Sequence, residues 1–260
     1  MAKYLWADLR WPEFEELDKE KTVVIVPVGS IEQHGPHLPI STDSNLVTEI
    51  GINAAKNLQG KLDVLVTPTV WAGFSPHHMA FPGAISLSAN LFSDLLNEIC
   101  NCIYHHGFKR ILLMNSHGGN ATFLKIASAR MGDKSDCIVG ALCYWDLVKT
   151  KLSDVVEDGP RFIPGHGGEF ETSLQMILAS DLVEESLVSE AEVTTEIIQA
   201  QCSSAIYSYR PMKYLTSKGQ LGNSSKATKE KGTKILSTIL QELEEFLIDF
   251  STWPIPSKKG

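Results

Sequence analysis

The sequence predicts an α/β fold: a three-layer arrangement in which a mostly parallel sheet is flanked by helices. Three observations predict it. Four short runs are almost uninterrupted in apolarity and rich in β-branched residues, as strands buried on both faces of a parallel sheet must be. The chain between them is long enough for helices, the alternation expected of βαβ units. Two of the runs lead directly into clusters of Glu, His and Gly, at the strand ends where open α/β sheets place their sites.

The first run is Thr22 to Val28, with Pro27 and Gly29 marking its end; Leu62 to Thr67, Arg110 to Asn115 and Cys137 to Tyr144 repeat the pattern. Ser41, Thr42 and Asp43 are N-cap candidates for a first helix whose apolar face is Leu46, Val47, Ile50 and Ala54. Leu91, Phe92, Leu95, Leu96, Ile99, Ile103 and Tyr104 recur at helical spacing until Gly107 stops them. A long amphipathic helix through Ile235, Ile239, Leu243 and Leu247 is closed by Pro254 and Pro256. The stretch from Thr216 to Thr233, rich in Gly, Ser and Lys, reads as an exposed loop. No internal repeat is visible, and 260 residues with 43% hydrophobic side chains are expected to form a single domain over residues 1–260.

Composition narrows the partners. The net charge is -8 and the 23 Lys and Arg residues are scattered, so no phosphate-tracking surface for nucleic acid is expected. No apolar run is long enough to span a bilayer and no signal-like h-region follows Met1, so a soluble, cytoplasmic protein without a membrane partner is expected. The five cysteines, Cys100, Cys102, Cys137, Cys143 and Cys202, are odd in number and lack CxxC spacing. They are expected to be buried free thiols rather than disulfides or metal ligands.

Three segments carry chemistry. In Gly29-Ser30-Ile31-Glu32-Gln33-His34-Gly35-Pro36-His37-Leu38-Pro39, an extended chain projects Glu32 and His34 to the same side, able to reach one metal cluster. Asp43 adds a carboxylate a few residues on, although Asp at a helix start is ordinarily a cap. Asn115-Ser116-His117-Gly118-Gly119-Asn120 brings His117 to the same sheet edge, with two glycines that permit close approach of a ligand. Gly165-His166-Gly167-Gly168-Glu169-Phe170-Glu171-Thr172-Ser173 is a glycine loop opening a helix. In it His166 is a candidate acid or base, Glu169 a candidate ligand, and Glu171 most simply a capping or supporting carboxylate. Carboxylates mixed with imidazoles, without thiolates, suit Zn, Mn or Fe in a hydrolytic site.

Together these segments resemble the creatininase-like amidohydrolases, whose members share ExHGPHLP-like, NxHGGN-like and HxGExETS-like segments. The resemblance extends to Trp11-Pro12 and to His77-His78-Met79-Ala80-Phe81-Pro82-Gly83, and so runs from the N-terminal segment through Ser173. It implies a binuclear centre of two divalent ions held by Glu32, His34, Asp43, His117 and Glu169, with Asp43 bridging. Metal-bound hydroxide would attack the carbonyl of a cyclic or linear amide, and His166 would pass a proton to the departing nitrogen. His78, Trp145, Gly118, Gly119 and Phe162 are expected at the substrate, and His77 in the pocket wall. Hexamers are the assembly the resemblance implies.

Two departures bear on the substrate. Creatinine-hydrolysing members carry a glutamate where this chain has Gly119, which leaves Glu169 to be expected as the replacement ligand. They also carry a mobile tryptophan where this chain has Phe162. Formamidopyrimidine deformylation and peptide trimming are the family's other activities, so a formamidopyrimidine-type amide stands beside creatinine as a candidate. Two readings compete with the metal hydrolase: a serine hydrolase using Ser116 with Asp146 or Asp158 and His166, and a noncatalytic protein that only binds a metal or small ligand.

Overall fold

A computed structural model describes residues 3–189 and 209–257. Its sheet has four strands, β1 (Val23–Val28), β2 (Val64–Val66), β3 (Arg110–Asn115) and β4 (Ile138–Cys143), in the order β2-β1-β3-β4. All neighbours are parallel, with Val23 opposite both Val64 and Arg110, and Arg110 opposite Ile138. Each strand falls inside one of the four apolar runs. The described helices are α1 (Trp11–Glu15), α2 (Thr42–Asn57), α3 (Ala89–His105), α4 (Ala121–Lys134), α5 (Glu169–Leu178), α6 (Met212–Leu215) and α7 (Lys229–Thr252).

The uninterrupted apolarity of β1 follows from its having helices on both sides. Val23 and Ile25 enter a core with Leu46 and Ile50 of α2, Phe170 and Leu174 of α5, and Ile235, Ile239, Leu243 and Leu247 of α7. Val24, Val26 and Val28 point the other way, onto Phe92 and Leu96 of α3 and Leu124 and Met131 of α4. Period-two alternation thus feeds two cores from one strand, which makes the three layers. Burying each such aliphatic side chain contributes about 1.5–3 kcal/mol. Arg110 ties the layers at the far end: its buried guanidinium donates to the carbonyls of Phe250 (3.0 Å) and Trp253 (2.8 Å) at the end of α7, and to Glu20 (2.9 Å).

Several expectations change here. The stretch from Thr216 is not an exposed loop: Thr216, Gly219, Gln220 and Ser224 are buried, and Leu221 pairs antiparallel with His166 before α7 begins at Lys229. Its small residues let it lie against the glycine loop, where Gly168 and Gly222 approach so closely that a Cβ on either would contact the other's backbone. Of the cysteines, Cys100 and Cys137 are buried free thiols, Cys143 is half-buried, Cys102 is exposed, and Cys202 lies outside the described residues. Two positions on, a helix has turned about 200°, so Cys102 leaves the buried face that holds Cys100. Among the described residues, no helix is long and apolar enough to cross a membrane.

Candidate metal centre

β1 lies between β2 and β3, so the chain leaves its C-terminal end at the point where the strand order reverses. Crevices at such points are the ligand sites of open α/β sheets. Glu32 and His34 follow β1, His117 follows β3, and Asp43 sits in the first turn of α2. Asp43 is not the cap; Ser41 takes that position, without a side-chain cap bond. The aspartate instead points inward, 3.3 Å from His34 Nε2 through Oδ1 and 3.5 Å from His117 Nδ1 through Oδ2. Glu32 Oε1 is met by three imidazoles: His117 Nδ1 at 3.1 Å, His78 Nε2 at 3.2 Å and His166 Nδ1 at 3.7 Å.

Glu169 does not join them. Its side chain is fully buried on the other side of α5, where Oε1 accepts from Lys231 Nζ (2.5 Å) and Oε2 from the Asp158 amide (3.1 Å). Glu171 takes the place in the cluster expected of Glu169, with Oε2 3.8 Å from His34 Nε2. The reason is helical geometry. Residues 169 and 171 lie about 200° apart around the axis, while residues four apart share a face. Glu169 shares its face with Ser173, whose Oγ accepts from the Thr228 amide beside α7. Glu171 shares the opposite face with Gln175, which donates to the Thr42 carbonyl at the start of α2. Glu171 also accepts a 2.6 Å bond from the Gly167 amide. Gly167 has φ +57 and presses so tightly on the His34 carbonyl that a Cβ would overlap it, so this turn can be made only by glycine.

Among the described residues, three groups of donor atoms lie close enough to hold an ion: Glu32, Asp43 and His117; His34, Asp43 and Glu171; and Glu32, His34 and His166. Asp43 belongs to the first two, presenting a different oxygen to each. Glu32 Oε1, His34 Nε2 and Asp43 Oδ2 are buried and make no hydrogen bond. Buried polar atoms are ordinarily bonded, and here the orphaned ones converge, which is the signature of a cation site. Oxygen and imidazole donors fit a divalent transition metal.

Electrostatics agrees. Burial alone would raise Glu32, yet the surrounding His117, His78 and His166 hold its carboxyl well below the usual range. Burial pulls His34 and His117 down, but the carboxylates beside them prevail and lift them to about 10 and about 9. Burial raises Asp43, and pushes Glu171 up to about 7. Burial, followed by the charge of His34 and His78, drives His166 well below an ordinary histidine. His166 Nε2 lies 2.6 Å from the Gln33 carbonyl and donates to it, leaving the Nδ1 lone pair facing Glu32.

The cluster opens onto a cavity of about 250 Å³ whose wall includes His77, His78, Gly118, Gly119, Tyr209 and Arg210. Three of the residues expected at the substrate, His78, Gly118 and Gly119, are therefore there, and His77 is in the wall. Trp145 is not: it is buried in the core beneath the sheet edge, edge-on to Tyr144. Phe162 is not in the wall either: its ring lies against Gly222 and its backbone against Gly165. His37 stays in the supporting layer, its Nε2 2.9 Å from Thr172 Oγ1. Gln33 had no role in the sequence reading, yet its amide nitrogen lies 3.1 Å from His78 Nδ1 and 3.0 Å from the Gly219 carbonyl. Only its place between Glu32 and His34 hinted at this.

The serine triad is not assembled. Ser116 Oγ donates to the Asp43 carbonyl (2.7 Å), Asp146 is exposed, and Asp158 pairs with Lys226.

Comparison with known proteins points the same way. The family described as creatininase, creatinine amidohydrolase, matches residues 7–247. The creatinine amidohydrolase of Pseudomonas putida is 28% identical over 256 residues, covering 92% of this chain and 94% of that protein. The 3-dehydro-scyllo-inosose hydrolase of Thermotoga maritima is 25% identical over 254 residues, covering 91% and 80%. A solved mutant creatininase of Zn–Zn type superimposes with a TM-score of 0.79 at 26% identity, covering 96% of this chain and 98% of that one.

Proposed function

This chain belongs to the creatinine amidohydrolase family, and from that premise we propose that it is a metal-dependent hydrolase of a non-peptide C–N bond, with a division of labour within its site. Glu32, Asp43 and His117 hold one divalent ion, and His34, Asp43 and Glu171 hold a second. The observation that carries this is Asp43, whose two oxygens face different imidazoles, 3.3 Å and 3.5 Å away. Divalent ions bound there would polarise a carbonyl and lower the pKa of water from about 15.7 toward about 7.

The remaining work falls to the chain's own groups. His166, neutral and with Nε2 pinned on the Gln33 carbonyl, takes up a proton at Nδ1 and returns it to the amide nitrogen as the C–N bond breaks. His78, its Nδ1 held by Gln33, borders the substrate with Gly118 and Gly119. The wall of the cavity favours a small amide other than creatinine. A Cβ at Gly119 would collide with the His117 ring and lie 2.5 Å from the Phe74 carbonyl, so the glutamate of creatinine-hydrolysing members has no room there. A formamidopyrimidine-type or short cyclic amide fits this reading. We further propose a single catalytic domain, a homohexamer and a cytoplasmic location, on the family resemblance.

Elemental analysis of the purified protein, followed by turnover of creatinine, a formamidopyrimidine and short cyclic amides with Zn, Mn or Fe restored, tests the proposal. Two ions per chain, and hydrolysis abolished by chelation, are expected. Activity that survives complete metal removal would refute it, and loaded protein that turns over none of the panel would favour a binding role.

A further inference from the structure

We propose that Arg210 anchors an anionic group of the substrate, so that the enzyme acts on small amides carrying a carboxylate or a phosphate; this rests on the amidohydrolase reading above. Arg210 is half-buried just before α6 and lines the same cavity as Glu32, His78, His117 and His166. Neighbouring cations are committed elsewhere: Lys226 to Asp158, Lys231 to Glu157 and Glu169, Lys213 over the ring of Phe81. Arg210 has no ion pair or hydrogen bond with any described residue. Among the described residues, the one carboxylate in the cavity wall, Glu32, is already faced by three imidazoles.

A guanidinium in a concave site, unpaired among the described residues, matches a planar or tetrahedral oxyanion through parallel N–H bonds. The amides of Gly118 and Gly119, in the same wall and at the start of the helical run that continues as α4, bond to no acceptor among the described residues. They add donors of the same sign. A chain of net charge -8 repels an anion at long range, so the attraction has to be local; the ions proposed above would hold the amide, which leaves Arg210 to take a separate anionic group of the same ligand. The cavity volume of about 250 Å³ limits the ligand to a small molecule.

The test compares matched amides on the metal-loaded enzyme: N-formylglycine against N-formylglycinamide, and N-formylethanolamine phosphate against N-formylethanolamine. Wild type should favour the anionic member of at least one pair by about tenfold or more in kcat/KM, expressed in KM. The pair that responds tells carboxylate from phosphate. Arg210→Met should bring that ratio close to unity, and Arg210→Lys should keep part of it. Equal handling of both members by wild type, or an unchanged ratio in Arg210→Met, would overturn the proposal. If neither these amides nor the panel above is turned over, the hydrolase reading fails by itself. Titration calorimetry with the same pairs then decides the anchor: an anion preference lost in Arg210→Met supports it, and equal affinities overturn it.

Discussion

Glu169 and Glu171 are two residues apart, equally buried, and expected to respond in opposite ways to the same substitution. Glu169→Gln removes the charge from a pair with Lys231 whose carboxylate is fully buried. Stranding a buried charge costs about 3–5 kcal/mol, but Lys231 is not stranded, since it keeps Glu157 Oε1 at 2.6 Å and the Lys226 carbonyl at 2.9 Å. The loss is then that of one charge-assisted bond, about 1–3 kcal/mol, or roughly 2–10 °C in Tm for a chain of this size. Metal content should be unchanged. Glu171→Gln works the other way. Burial raises the Glu171 carboxyl to about 7 from 4.5, so the folded chain binds more protons than the unfolded one between those values. Stability therefore falls as pH rises through that window, and above it the ionised carboxylate costs the metal-free fold on the order of 3 kcal/mol. Gln removes that cost while still accepting from the Gly167 amide, so the chelated variant should be as stable as wild type at pH 8, or more so. Its metal affinity should fall by more than the roughly 10–100-fold typical of residues behind a ligand. Urea unfolding of chelated protein, with metal titration of each variant, measures both effects. Glu169→Gln losing an ion while Glu171→Gln keeps both would refute the assignment.

Other perturbations separate the site from the frame. Gly119→Ala places a methyl against the His117 ring and 2.5 Å from the Phe74 carbonyl; metal titration should show weakened binding with only a modest loss of Tm. Arg110→Leu leaves the carbonyls at the end of α7 without their buried donor; denaturant melts should show a loss of about 2–4 kcal/mol, with two ions still bound per chain. Metal uptake must displace the protons that His34 and His117 hold up to about 10 and about 9, so affinity should rise between pH 6 and 8 by up to about tenfold per pH unit for each proton released. Calorimetry in buffers of different ionisation enthalpy counts those protons, and a pH-independent affinity would contradict the histidine assignment.

What the sequence made legible follows a physical rule. The buried strands could be read because a parallel sheet with two covers forces both faces of Val23–Val28 to be apolar. Glu32, His34 and His117 could be placed because each directly follows such a strand, and strand direction is fixed by the alternation of the fold. Glu169 and Glu171 could not be separated in that way. Both stand in the first turn of α5, and which one faces the metal depends on the helix's rotation about its own axis. That rotation is set by partners far along the chain, Lys231 and Thr228 on one side and Thr42 on the other. Trp145 shows the same limit: after β4 the chain folds back toward α7, and no local pattern distinguishes a tryptophan turned into the core from one turned into the cavity.

The α5 register also changes the argument about substrate. Glu169 cannot replace the glutamate that Gly119 displaces, because it points to Lys231; the two departures from creatinine-hydrolysing members are therefore independent. Glu171 would supply a carboxylate ligand whatever stands at position 119, so the Gly119 departure does not remove the centre proposed here. What it leaves is a stretch of wall with no side chain, whose two backbone amides bond to no acceptor among the described residues, beside Arg210, which pairs with none of those residues. A glutamate there would have made that part of the wall anionic. Its replacement by glycine makes the same region attractive to an anion, so the residue that argues against creatinine, a neutral ring, is also the one that permits an acidic amide to enter.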